Sequence, residues 1–283
     1  MSVSVGPRSA GASPRVPPPT IGTTVAAVAV LTGWGDGIRA LPADASKAAA
    51  GRSVIPLGRP ALEGERFRRA TRECLLGVVA VDALLRESEI SRDVVKGSST
   101  ALLYVTGGAY GASNRAFVLT EGMRSGTLHF PYTAPSAMAG EVAIEFGLTG
   151  PYGILIGGAA ATIDALWQAT RLLAGGRCAR ALVLAVETFE ECADLFARGR
   201  WLVGRPLVEA AACALLVPGG LHARYDAPRE PSALETRVRR RAGETLACSP
   251  LIALALARDG GETGPIGVTG EWRGRRAGLN WQR

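Results

Sequence analysis

The sequence predicts an α/β fold, a mostly parallel mixed sheet covered by helices. Three observations carry this. Apolar runs of strand length alternate with segments of helical period. Glycine is frequent, 36 of 283 residues, and aromatics are only 6%, which favours close-packed layers over an aromatic-rich sandwich. Hydrophobic residues make up 47% and charged residues 20%, enough for a sizeable core in one large domain or two modest ones.

The elements follow in order. Val25 to Thr32 is a β-branched apolar run ending at Gly33, as in a strand buried on both faces. From Phe67 to Arg86 the apolar positions Ala70, Cys74, Leu75, Val78, Val81 and Leu85 recur at helical spacing. Thr100 to Thr106 is the next strand and ends in a Gly pair. Ser136 to Phe146 reads as a helix after Pro135, stopped by Gly147, and Gly153 to Ile156 as a short strand. Ala160 to Ala174 is a helix closed by Gly175 and Gly176. Ala181 to Val186 and Ala211 to Val217 are strands. Residues 219–245 are polar and proline-containing and read as a linker or surface excursion. A final helix, about Pro250 to Arg258, and a strand near Ile266 to Arg273 complete the chain, so that 246–283 packs on the domain of residues 21–218. Residues 1–20 carry five prolines and no acidic residue and read as a flexible tail rather than a secretory signal.

Composition narrows the function classes. No apolar run reaches the ~18 residues of a spanning helix. The net charge of +7 is almost entirely arginine, the lysines being Lys47 and Lys96. The dense cluster Arg237, Arg239, Arg240 and Arg241 has no interleaved aromatic, so nucleic acid is not an expected partner; it reads as a solvated helix face or loop, with a docking patch for an acidic protein as the alternative. Five cysteines, odd in number and without a CxxC pair, argue against a disulfide framework or a zinc site and suit a reduced cytoplasmic protein.

The informative junction is Gly153-Ile-Leu-Ile-Gly-Gly-Ala-Ala-Ala-Thr162. A buried strand meets a helix start through two glycines. Free N–H groups and the helix dipole at such a turn can stabilise a thiolate or an oxyanion. From spacing alone, close packing of a strand on an Ala-rich helix explains the same glycines.

The surrounding segments add a resemblance. Pro135-Ser-Ala-Met-Ala-Gly-Glu, followed by Phe146-Gly-Leu-Thr-Gly-Pro151, resembles the P-N-M-x-A-G-H … F/Y-G-L-R-G-P stretch of the β-ketoacyl-acyl carrier protein synthases. Gly153 to Glu187 then lies on the family's strand, T-A-C-A/S turn, helix and V-M-V-A-G-G-A-E strand without a gap, with Arg171, Gly176 and Glu187 on matching positions. Val208-Glu-Ala-Ala-Ala-Cys-Ala-Leu-Leu-Val217 is similar to the G-E-G-A-x-x-L-V-L strand, with Glu209 on its glutamate. Val28 to Gly35 and Ala48 to Ser53 resemble the opening strand and the turn after it. The resemblance implies a thiolase-like layered fold, its N-terminal half only, with a short C-terminal extension.

The departures are equally specific. The family's nucleophilic cysteine falls on Ala159, which can form no acyl-thioester. His129 and His222 do not stand in the family's histidine motifs. Thr162, Ser136 and the cysteines offer no base partner readable in sequence. The resemblance therefore implies a silent relative, akin to a chain-length factor, that pairs with a ketosynthase or with itself as a dimer. It implies a substrate-binding region at Gly158, Ala159, Ala160 and Thr162. The loop residues His129, Phe130 and Tyr132 would reach a neighbour's acyl pocket. The expected pairing strand is Ala181, Leu182, Val183, Leu184, Ala185 and Val186. No cofactor of its own is expected beyond acyl-phosphopantetheine on an acidic carrier protein. The competing readings are an acyltransferase or thioester hydrolase with an unrecognised nucleophile, and a carrier-protein binding module.

Overall fold

The structure is a computed structural model and describes residues 22–120, 130–198, 204–261 and 266–282. The predicted N-terminal tail and His129 lie outside the described residues. The main strands are β1 (Thr23–Thr32), β2 (Thr100–Thr106), β3 (Tyr152–Ile156), β4 (Arg180–Glu187) and β5 (Ala210–Pro218), with helices α1 (Arg72–Glu87), α2 (Gly111–Thr120), α3 (Ser136–Phe146) and α4 (Gly158–Ala174) between them. The chain continues with β6 (His222–Asp226), α5 (Ala233–Arg241), α6 (Ser249–Asp259), β7 (Ile266–Trp272) and β8 (Arg275–Gln282).

The main sheet has the order Gly35–Asp36, β1, β5, β4, β2, β3. β2 pairs in parallel with both β3 and β4, and β5 runs antiparallel to β4 and β1. Thus β1 to β4 share one direction and β5 opposes them, the mostly parallel mixed sheet expected. Helices α1 and α3 cover one face. Helices α4 and α6 cover the other and are backed by a second sheet, β7-β8-β6. Its β7–β8 hairpin turns through Arg273 and Gly274, both at positive φ, a two-residue turn that matches strand twist.

Two expectations are corrected. Residues 219–245 are neither linker nor excursion: they hold β6 and α5, whose Leu234 and Val238 are buried and whose start is capped by Ser232. Their polarity reflects a half-exposed outer sheet and a helix whose Glu235, Arg239 and Arg241 are spent on internal partners. Second, Ala181 to Val186 is not a pairing edge. β4 lies between β2 and β5, and all six residues are fully buried. A short apolar run marks burial on both faces, which a central strand satisfies as well as an edge does. The edge beyond β2 is β3, where Tyr152 and Ile156 are exposed.

One ion pair ties the loops to this frame. Arg72 opens α1 and Glu209 immediately precedes β5; Glu209 is fully buried. Its carboxylate accepts from both terminal nitrogens of Arg72 and from the backbone N–H groups of Leu57, Phe189 and Glu190 at 2.6–2.7 Å. Glu191 pairs with the same guanidinium at 2.7 Å, and these carboxylates hold its pKa above the usual arginine range against the opposing effect of burial. Arg72→Met strands the buried carboxylate and is expected to cost about 3–5 kcal/mol in urea or guanidinium unfolding. Adding Glu209→Leu to it is expected not to recover the loss, because three backbone donors then lose their acceptor.

Candidate functional site

The strand-to-helix turn sits where β3 ends and α4 begins. Gly157 has φ 145°, a conformation closed to ordinary side chains, and its N–H donates to the Thr106 carbonyl at 2.9 Å. That bond joins the end of β3 to the end of β2. The first helical bond runs from Ala161 N–H to Gly157 O at 3.0 Å, and no side chain caps the helix start.

Ala159 is buried, 8% exposed, and its neighbours come from the end of the chain. Gly270 of β7 lies so close that a Cβ there would fall 2.6 Å from the Ala159 carbonyl. The Trp272 indole lies on Gly158, where a Cβ would meet a ring carbon at 2.1 Å. Beside them is a polar cavity of about 240 Å³, walled by Ala159, Arg205, Glu235, Arg239, Glu244 and Trp272 among others. Glu235 there is spent on Arg239 at 2.6 Å and Arg276 at 2.8 Å. The turn is thus closed over by backbone, an indole and paired charges.

Beneath it, Glu187 ends β4 fully buried. Its carboxylate accepts from the N–H groups of Gly107, Gly108 (3.1 Å) and Ala247 (3.2 Å). Burial pushes its pKa up to about 7, against the pull of those three donors. Thr162 reaches the same segment from the other side, its hydroxyl donating to the Ala247 carbonyl at 2.6 Å. Glu187 and Thr162 clamp the 246–248 turn between sheet and helix. Thr162 is fully buried in this role.

The remaining predicted residues separate. Gly158, Ala159, Ala160 and Thr162 fall together at the start of α4, on the α4–α6 side of the sheet. Phe130 and Tyr132 belong to a helical turn, Phe130–Thr133, on the α1–α3 side. Phe130 is 63% exposed with its ring 5.7 Å from Phe117, and Tyr132 lines a groove with Glu141 and Ile144. The structure does not bring these two to Ala159 within one chain. Ser136 is the first residue of α3 but caps nothing; Pro135 holds the N-cap place. His222 is exposed on β6. All five cysteines are buried and free, and burial raises every thiol pKa, that of Cys74 to about 12. Among the described residues no group of three or more potential ligands could hold a metal ion, and no helix is long and apolar enough to cross a membrane. In the arginine cluster, Arg239 pairs with Glu235 and Arg241 donates to the carbonyls of Ile38, Leu41 and Pro42, leaving Arg240 as its exposed member.

Comparison with known proteins sets this geometry in a family. The family described as beta-ketoacyl synthase, N-terminal domain, matches residues 60–203, just over half of the chain. The chain belongs to that family. Solved structures of similar fold include the ishigamide ketosynthase/chain length factor, at 16% identity and TM-score 0.69, covering 92% of this chain and 98% of that one. A type II acyl-carrier protein in complex with its ketosynthase is similar at 14% identity and TM-score 0.70, covering 93% and 99%. A ketosynthase in complex with its chain length factor from Xenorhabdus doucetiae is similar at 15% identity and TM-score 0.59, also covering 93% and 99%. No curated protein matches the sequence. The fold is the layered ketosynthase fold the motifs implied, and with so much of this chain covered the likeness takes in elements beyond residue 218.

Sequence reasoning missed Gly270 and Trp272, which lie more than a hundred residues from the turn they cover. It placed Glu187 only by resemblance. The one local signal was a single acidic residue closing a strand that is apolar from Ala181 to Val186.

Glu187 makes stability pH-dependent. Its folded pKa, about 7, lies above the ordinary 4.5. Its contribution is therefore fully present below about pH 4.5 and is lost as pH rises through 7, on the order of 3 kcal/mol. Glu73 and Glu244, also raised by burial, push the same way. Unfolding free energies from pH 5 to 8 are expected to fall in the parent, and Glu187→Gln is expected to remove a large part of that slope.

Proposed function

We propose that this protein is a catalytically silent ketosynthase-like subunit that pairs with a ketosynthase in polyketide or fatty-acid-like assembly and helps shape its acyl tunnel. The observation that carries the reading is the surface around β3. Six of the eight exposed large hydrophobic residues among those described lie on successive packed elements: Val118 and Leu119 on α2, Phe130 on the following turn, Ile144 on α3, Tyr152 and Ile156 on β3. An apolar face beside a free strand edge is what a partner covers. β3 contains no charged residue, so a partner strand can add to the sheet without burying an ion.

Silence is supported by Ala159 at the helix start, by the inward hydroxyl of Thr162 and by five buried thiols with raised pKa. The pairing of similar folds with chain length factors and carrier proteins supports the class of partner. On this reading Phe130 and Tyr132 act in the partner's pocket rather than in their own chain, consistent with their distance from Ala159 across the sheet. The acyl groups met there are carried on phosphopantetheine by an acyl carrier protein, in the cytoplasm, with no cofactor held by this chain.

Co-expression with candidate ketosynthases is expected to yield a co-eluting complex on size-exclusion chromatography. Ile156→Asp on β3 is expected to weaken it at least tenfold, whereas His222→Asp, at an exposed residue on β6 of the outer sheet, leaves it intact. Incubation with acyl thioesters is expected to leave the intact mass unchanged; an acyl adduct on any residue would overturn the silent reading.

A further inference from the structure

The main sheet has two outer edges, and they are finished differently. Among the described residues no strand lies beyond β3, and β3 carries no charge. The opposite edge is β1. Among the described residues its strand neighbour on the outer side is the two-residue Gly35–Asp36, which pairs only with Leu31 and Thr32. The Gly37 N–H donates to the Val30 carbonyl at 2.7 Å, and at the start of β1 the Thr23 N–H donates to the Leu221 carbonyl at 2.6 Å. Between these two points the edge is met by a side chain.

Val25 lies opposite Leu216 and Ala27 opposite Leu215, so Ala26 is the extra residue of a β-bulge. Successive carbonyls of a regular strand point to opposite sides. At the bulge Val25 and Ala26 both offer theirs to one group, the guanidinium of Arg258 in the last turn of α6. One terminal nitrogen donates to the Val25 carbonyl and the other to the Ala26 carbonyl, the latter at 2.8 Å. The donors of a rigid fork thus stand where the N–H groups of a neighbouring strand would stand, and they bring a charge that a growing sheet would have to bury. Beside them is a concavity of about 320 Å³ walled by Val25, Leu221, Leu254, Arg258 and Ile266 among others. Polar edge and apolar wall therefore adjoin, with Arg258 over both.

We propose that Arg258 guards the β1 edge: it keeps β3 of a second copy of this chain from adding to the sheet at residues 25–29, so that association runs through β3 alone and stops after one partner. The strand suited to that edge is β3 of another copy, uncharged and with its outer side open. A subunit whose two different edges fit each other joins head to tail, a contact that does not close on itself and so continues into chains. The proposal rests on β3 being a pairing edge, as the proposed function has it, but not on the identity of the partner or on the chemistry of the α4 turn.

The test is sedimentation velocity on the full chain, with no ketosynthase present. The parent is expected to show nothing larger than a dimer. Arg258→Met, which keeps the stem and removes both donors and the charge, is expected to form species beyond a dimer whose average mass at least doubles over a roughly twentyfold rise in concentration. Adding Ile156→Asp is expected to abolish them. Arg39→Met removes the same charge from an exposed side chain that pairs with Asp259, and is expected to behave as the parent. Arg258→Gln, uncharged and too short to span both carbonyls, decides the matter if Arg258→Met does not melt cooperatively. No species beyond a dimer in a cooperatively melting Arg258 variant, equal growth in Arg39→Met, or growth that Ile156→Asp leaves untouched would overturn the proposal. Failure to co-elute with a ketosynthase bears on the proposed function and leaves this test standing.

Discussion

The buried pairing of Arg72 with Glu209 is the constraint on which the arrangement rests. Glu209 accepts five hydrogen bonds, from α1, from the segment after Ile55 and from the turn after β4. Two charges taken out of water are expensive, and the expense is offset here because every lone-pair direction is met by a donor. The result is positional. The 55–57 and 189–190 segments, which have little regular structure of their own, are fixed relative to β5 and α1 by one carboxylate.

Glu187 performs a similar task with no cation. It holds Gly107, Gly108 and Ala247 together beneath the α4 turn, and the pull of three N–H groups does not fully offset its burial. The two glutamates thus differ in kind. Glu209 is neutralised by a guanidinium, and Glu187 is left to titrate near neutrality. A carboxylate of this sort is tolerated where fixing three backbone segments outweighs its desolvation, and the ends of β2, β3 and β4 are where the segments of this fold converge.

The sequence made the inner frame legible and the outer one obscure. β2 and α3 fall at the predicted residues because Gly pairs, Pro135 and Gly147 mark their ends. The turn at Gly157 was found because two glycines between an apolar strand and an Ala-rich helix have few other uses. β4 was placed correctly in the chain but wrongly at an edge, since an apolar run reports burial and not the identity of its neighbours. β6 and α5 were hidden because the outer sheet is half exposed, so its strands carry polar residues, and because Glu235, Arg239 and Arg276 look like surface charges until their pairing is seen. The cover of Trp272 and Gly270 over the turn depends on tertiary contact alone, which no local pattern encodes.

The outer edge of the sheet and the turn at Gly157 belong to one element. β3 is at once the outermost strand and the segment that delivers Gly157 and Ala159, and its last residue, Ile156, is exposed one position before the turn. A strand added to that edge would order the backbone that sets the start of α4, while β7 already packs on the turn from the opposite side. Among the described residues the outer edge of β3 is unpaired, and that edge follows from sheet order, whatever chemistry the turn at Ala159 supports. The apolar face around β3 is therefore a physical reason to associate that does not depend on the chemistry of the turn.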